Sequence, residues 1–139
     1  MCNHFITLAV SNDRRLILQC EHGTVHLTWD VVTVHLTPAQ FYEVGELFTE
    51  CHSTSFTQVR RQKCLANYIE SHNYYQLWLQ GVGINLAPVD FQVLADLVSV
   101  ALTELQRRPA DRANKPGDQP AADRFKTVPA SPSAPFSLN

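Results

Sequence analysis

The sequence predicts an α+β fold: a four-strand antiparallel meander plus one covering helix, duplicated in tandem about a pseudo-twofold axis and followed by a disordered C-terminal tail. Three observations point there. The first is an internal repeat at a shift of fifty residues. Val32-Thr33-Val34-His35-Leu36-Thr37-Pro38-Ala39-Gln40-Phe41 overlies Val82-Gly83-Ile84-Asn85-Leu86-Ala87-Pro88-Val89-Asp90-Phe91, and the apolar pattern continues on both sides without a gap. The second is a change of hydrophobic period in each copy, from two to between three and four, at Pro38 and again at Pro88. The third is a shift of composition at Arg107, after which six of the eight prolines occur, mixed with Ala, Ser, Asp and Arg.

The elements follow in order. Phe5–Val10 reads as a strand, Ser11-Asn12-Asp13-Arg14 as a turn whose Asn and Asp bond locally, and Arg15–Cys20 as the returning strand. Gly23 marks the next turn. Val25, Leu27 and Trp29 then alternate with His26 and Thr28, and Val32, Val34 and Leu36 with Thr33 and His35, which is strand spacing. Phe41, Val44, Phe48 and Cys51 recur at helical spacing over 38–51; Thr37 is placed to cap, Pro38 fits the first helical position, and Gln40 completes a capping box. The second unit repeats this with strands near 56–61, 64–70, 74–79 and 82–86 and a helix from Pro88 to about Leu105. A unit of this size is marginal alone. Residues 1–106 are therefore expected to be a single domain of two repeats (about 1–52 and 53–106), with 107–139 a flexible Pro/Ala-rich tail that cannot bury enough apolar surface to offset its ordering entropy.

Composition excludes several classes. Eleven Lys+Arg against thirteen Asp+Glu in 139 residues leave no basic face for nucleic acid. The charge divides unevenly, net −5 over 1–106 and +3 over 107–139, so the tail could reach an acidic partner. No run approaches a membrane span. Met1-Cys2-Asn3-His4 carries no basic or long apolar leader, which points to a cytoplasmic protein. Phosphate-binding glycine loops, nucleophile elbows and paired-histidine zinc motifs are absent.

The cysteines and histidines carry the chemistry. Pairing the first hairpin with Val10 opposite Arg14 places His4 opposite Cys20 and Cys2 opposite His22 on one face. Two thiolates and two imidazoles at cross-strand distance would make a structural zinc site from Cys2, His4, Cys20 and His22, clipping the N-terminus to the sheet. The plain alternative is an exposed Cys2, a small core residue at Cys20 and two ordinary histidines. Fifty residues on, the same places hold His52, Thr54, Glu70 and His72, so His52, Glu70 and His72 are secondary metal candidates, with an open position suited to an enzyme or sensor. His26 and His35 face each other on the outer sheet surface, where they could bind a metal weakly or sense pH. Trp78, on the equivalent surface opposite Gly83, could cover that glycine or mark a partner or oligomer surface. Arg60-Arg61-Gln62-Lys63 is a solvated basic turn.

The stretch Cys20-Glu21-His22-Gly23-Thr24-Val25-His26-Leu27-Thr28-Trp29, followed by Val34-His35-Leu36 and Phe41, resembles a family of small uncharacterised bacterial proteins with an N-terminal Cys/His pair and a Cys-x-His-Gly hairpin. The resemblance covers about residues 1–50 and implies a small cytosolic, metal-binding protein with no stated activity. Gly23 stands where that family would place a further Cys, which leaves Cys2 and His4 to complete the site. The expected function is non-enzymatic, through binding a protein partner or a second copy of the chain, with the tail and the outer sheet face as contacts. The rivals are a metal-dependent enzyme or sensor at His52/Glu70/His72 and a thiol redox protein using Cys2 and Cys20.

Overall fold

The computed structural model describes the backbone of residues 1–114 and the side chains of residues 1–108. Two four-stranded antiparallel meanders each precede a helix. The first contains β1 (Phe5–Asn12), β2 (Arg15–Cys20), β3 (Val25–Trp29) and β4 (Val32–Leu36), and leads into α1 (Pro38–Ser53). The second contains β5 (Gln58–Arg61), β6 (Cys64–Ile69), β7 (Tyr74–Leu79) and β8 (Val82–Leu86), and leads into α2 (Pro88–Asn114). The capping box at Thr37 forms in both directions: the Thr37 hydroxyl accepts from the Gln40 N–H at 3.1 Å, and the Gln40 side chain accepts from the Thr37 N–H at 2.9 Å.

The helices cross over between the repeats. Helix α1 packs chiefly on β5 and β6, and α2 chiefly on β1 and β2. Contacts at the helix starts obey the same exchange. Gln40 of α1 donates to Gln80 in the β7–β8 turn, and Asp90 of α2 is joined through Arg15 to Asp30 in the β3–β4 turn. Positions 40 and 90, and 30 and 80, are repeat equivalents, so the contacts are related as a twofold would relate them. The apolar faces therefore merge into one buried cluster, in which Leu27 and Leu77, Leu47 and Leu97, and Phe41 and Phe91 stand as repeat equivalents. The helices meet closely at Gly45, where a Cβ would overlap Leu102 Cδ1.

Three details differ from the sequence expectation. The first hairpin pairs Phe5, not His4, with Cys20, and its register shifts between Thr7 and Ala9 and again between Val10 and Asn12. These β-bulges turn Leu8, Ala9 and Val10 all inward, which strict alternation cannot do. The repeat also has a gap. The β2–β3 turn is Glu21-His22-Gly23, whereas the β6–β7 turn is Glu70-Ser71-His72-Asn73, one residue longer, so β6 lies forty-nine residues beyond β2 while β8 lies fifty beyond β4. Finally, α2 runs past the compositional boundary at Arg107. Glu104 pairs with Arg107 and Arg108 one turn ahead, and Arg108 is buried, so these two residues extend the helix. The remainder of the expected tail, 115–139, lies outside the described residues.

One shared core makes unfolding a single cooperative event. Each repeat holds one tryptophan, Trp29 or Trp78. Urea unfolding of Trp29→Phe, followed by Trp78 fluorescence, and of Trp78→Phe, followed by Trp29, should each coincide with the loss of far-ultraviolet ellipticity. Phe41→Ala should destabilise both reporters together by about 3–5 kcal/mol. A separate midpoint for either tryptophan would mean that the repeats unfold independently.

Candidate metal centre

The site is built around the tight β2–β3 turn. Gly23 adopts a φ of +89°, the left-handed position that glycine takes most easily. Its N–H donates to the Cys20 carbonyl at 2.9 Å, and the Cys20 N–H donates to the Thr24 carbonyl at 3.0 Å. This closure holds His22 at the tip and Cys20 at its base. Phe5 pairs with Cys20 and Leu18 pairs with His26, so Cys20 and His26 share the outer sheet face with Phe5 and Leu18. Beyond the end of β1 the chain is held by Glu21, whose carboxylate accepts from the N–H of Asn3 at 3.0 and 3.2 Å and from the N–H of His4 at 3.1 Å. Those bonds bring Cys2 back over the turn.

The result is a close group of soft and charged donors. Cys2 Sγ lies 3.7 Å from His22 Nδ1, and Cys20 Sγ lies 3.8 Å from the same nitrogen. The donor atoms of Cys2, Cys20, Glu21 and His22 all lie within 4.8 Å of one another, and this group could hold a metal ion. Cys2 Sγ is also 3.8 Å from His26 Nε2. A tetrahedral site with Zn–S of about 2.3 Å and Zn–N of about 2.0–2.1 Å has an S···N edge of about 3.6 Å, so these separations match its edges closely.

The electrostatics favour a bound cation. Burial works against ionisation of Cys20, but hydrogen bonds from His26 and the Cys2 thiol, together with those from the His22 backbone and ring, outweigh it and hold the thiol down at about 5. Cys2 moves the other way, raised first by its hydrogen bond to Cys20, then by burial and the nearby negative charge of Cys20 and Glu21. The Asn3 N–H, then the Glu21 and His4 N–H groups, hold the Glu21 carboxylate at about 2. At neutral pH the site thus offers a thiolate beside a firmly ionised carboxylate.

The other sequence candidates fall elsewhere. His4 is exposed and outside the group, because the bulged register puts Phe5 where His4 was expected. His52, Glu70 and His72 are not brought together. His52 is held between the Phe48 carbonyl (2.7 Å) and Gln92 (3.1 Å), lining a groove between α1 and α2, whereas Glu70 and His72 lie in the β6–β7 turn, where His72 bonds Ser71. Among the described residues, no other group of three metal-capable side chains forms. His35 does pair with His26, ring centroids 4.4 Å apart. Trp78 lies over Gly83, where a Cβ would meet the indole at 2.9–3.1 Å, and remains 38% exposed. Cys51 and Cys64 are buried in the core; burial pushes the Cys51 thiol up to about 12 and raises Cys64 as well, which disfavours the thiolate in both.

Sequence reasoning missed Glu21 and placed His26 away from the cysteines. Counting strand pairs outward from the Glu21-His22-Gly23 turn would have set Leu18 opposite His26, and so His26 diagonal to Cys20. No described helix is long and apolar enough to cross a membrane. No protein family, curated protein or solved structure matches the chain.

The depressed Cys20 pKa gives stability a definite pH dependence. Between about 5 and the ordinary thiol value of 9.0, Cys20 is ionised in the folded chain and protonated in the unfolded one. Its contribution is complete above that ordinary value and is lost as pH falls through about 5. In metal-free buffer the urea midpoint should rise from pH 5.5 to pH 8.5, and Cys20→Ala should flatten that rise. An equal slope in Cys20→Ala would show that Cys20 is not the group responsible.

Proposed function

We propose that the chain is a cytoplasmic, non-enzymatic binding module whose N-terminal segment is clipped to the first sheet by one structural zinc ion held by Cys2, Cys20, His22 and His26. One observation carries this reading: two cysteine sulfurs lie 3.7 and 3.8 Å from a single imidazole nitrogen, close to the edges of a zinc tetrahedron. His26 is taken as the fourth ligand: its Nε2 stands 3.8 Å from Cys2 Sγ, outside the group of Cys2, Cys20, Glu21 and His22, while the Glu21 oxygens already hold the N-terminal segment through backbone N–H groups. Glu21 is then a positioning residue that holds the Cys2 segment in place. Two thiolates and two imidazoles fill the coordination sphere, which suits a structural ion rather than a catalytic one with an open position. Binding free energy at such a site adds directly to folding free energy. The module engages a protein partner or a second copy of the chain, and the half-exposed Trp78 face is the contact.

The test is zinc content by elemental analysis on protein purified without a metal-affinity tag. About one zinc per chain is expected. Cys2→Ser, Cys20→Ser and His26→Ala should each lose stoichiometric zinc and melt at lower temperature. Glu21→Gln should retain the ion with affinity reduced about 10–100-fold, as for a group that orients ligands. Full zinc retention in His26→Ala with loss in Glu21→Gln would exchange their roles. A wild-type chain that takes up no zinc would overturn the reading.

A further inference from the structure

We propose that Cys2 and Cys20 are also an oxidation site, which a peroxide converts to an intramolecular disulfide, releasing the metal. The disulfide follows from the geometry of the two thiols alone; metal release rests on the zinc reading above. The two Sγ atoms lie within 4.8 Å of each other. They differ in access: Cys2 is half-buried, in the irregular segment before β1, while Cys20 is buried at the end of β2. A bond of about 2.05 Å needs the sulfurs to close together, and the segment free to move is the one that carries Cys2. The Asn3 and His4 bonds to Glu21 are among its anchors, and Cys2 itself lies outside any strand ladder. Selectivity is built in, because Cys51 and Cys64 are both buried, the Cys64 thiol donating to the Glu43 carbonyl at 3.8 Å.

The chemistry balances with peroxide as the oxidant. The accessible Cys2 sulfur loses its proton as it attacks one peroxide oxygen; the S–O bond forms, the O–O bond breaks, and the departing hydroxide takes up that proton to become water. The Cys20 thiolate then attacks the Cys2 sulfur; the S–S bond forms, the S–O bond breaks, and the second hydroxide takes a proton from solvent to leave as water. The two sulfurs together give up two electrons, and one peroxide takes these with two protons, one from Cys2 and one from solvent, to become two waters. A zinc ion held by these sulfurs loses both thiolates in the same step. The N-terminal segment stays attached through the disulfide, so the clip passes from a metal bond to a covalent one.

The full chain, once metal-free and once zinc-loaded, is treated with one equivalent of hydrogen peroxide and followed by intact mass, disulfide mapping and a chromogenic zinc chelator. The expected result is a loss of about 2 Da with Cys2 joined to Cys20 in both samples, and zinc release in step with it in the loaded one. The loss should vanish in Cys2→Ser and in Cys20→Ser and persist in Cys51→Ser/Cys64→Ser. Cys2 oxidised to sulfinic acid with Cys20 still alkylatable, or a disulfide between two chains, would overturn the proposal, as would a disulfide in zinc-loaded protein that keeps its zinc. A disulfide in a chain that never binds zinc would uphold the oxidation site and overturn the zinc reading instead.

Discussion

A unit of about fifty residues with one sheet and one helix buries too little apolar surface to offset the entropy of ordering it. This chain meets that constraint by exchange: α1 covers β5 and β6, and α2 covers β1 and β2. Neither helix has a complete apolar partner within its own repeat, so neither repeat is complete without the other. The small residue Gly45 lets the helices approach at their contact, and the fully buried side chains of both repeats, Leu8 and Leu77 among them, contribute to one interior. Polar links secure the exchange at its margins. Arg15 lies 4.2 Å over the Trp29 ring while reaching Asp30 and Asp90, and Arg61 reaches Glu43. Such partly exposed pairs add little energy, and their part is to orient the elements they join.

The candidate metal centre depends on that frame. The edge strand β1 is held by β2 on one side and by α2 packed across it. Its bulges, which turn Leu8 and Ala9 together toward the core, also fix where its first residues emerge. The strand begins at Phe5, and before it the Glu21 carboxylate holds the Asn3 and His4 N–H groups while Cys2 reaches His22 and His26. A metal or a disulfide at Cys2 acts on a segment that lies outside the sheet. Among the described residues the second repeat has no such centre, for a local reason. In the equivalent β6–β7 turn an added residue opens the geometry, and Ile69 occupies the place of Cys20.

Charge at the centre is arranged by hydrogen bonding more than by burial. Cys20 is buried in a setting that should favour the neutral thiol, yet it is held as a thiolate by the donors around it. Glu21, at the surface, is kept ionised by backbone N–H groups. Cys51 and Cys64, buried without such donors, go the opposite way. Of the four cysteines, Cys20 is pushed toward the thiolate while Cys2, Cys51 and Cys64 are pushed toward the thiol, and Cys2 differs from the last two in lying partly exposed beside Cys20.

Period and composition in the sequence determined the element types, their order and the duplication. Alternation through Val25 to Leu36, the change of period at Pro38 and Pro88, and the capping box at Thr37 are local signals, and local signals survive in the chain itself. The presence of a Cys/His site near the N-terminus was legible as well, because Cys2, Cys20 and His22 recur within a short hairpin. The folded structure decided the register of β1, and with it which N-terminal residues reach that group. One residue of register moves a side chain to the opposite face of a strand, so Phe5 rather than His4 stands opposite Cys20, while the β2–β3 register puts His26 opposite Leu18. The same holds for the helices. Their apolar stripes are written in the sequence, but which sheet each stripe meets depends on surfaces assembled from residues far apart in the chain, and no local pattern specifies that choice.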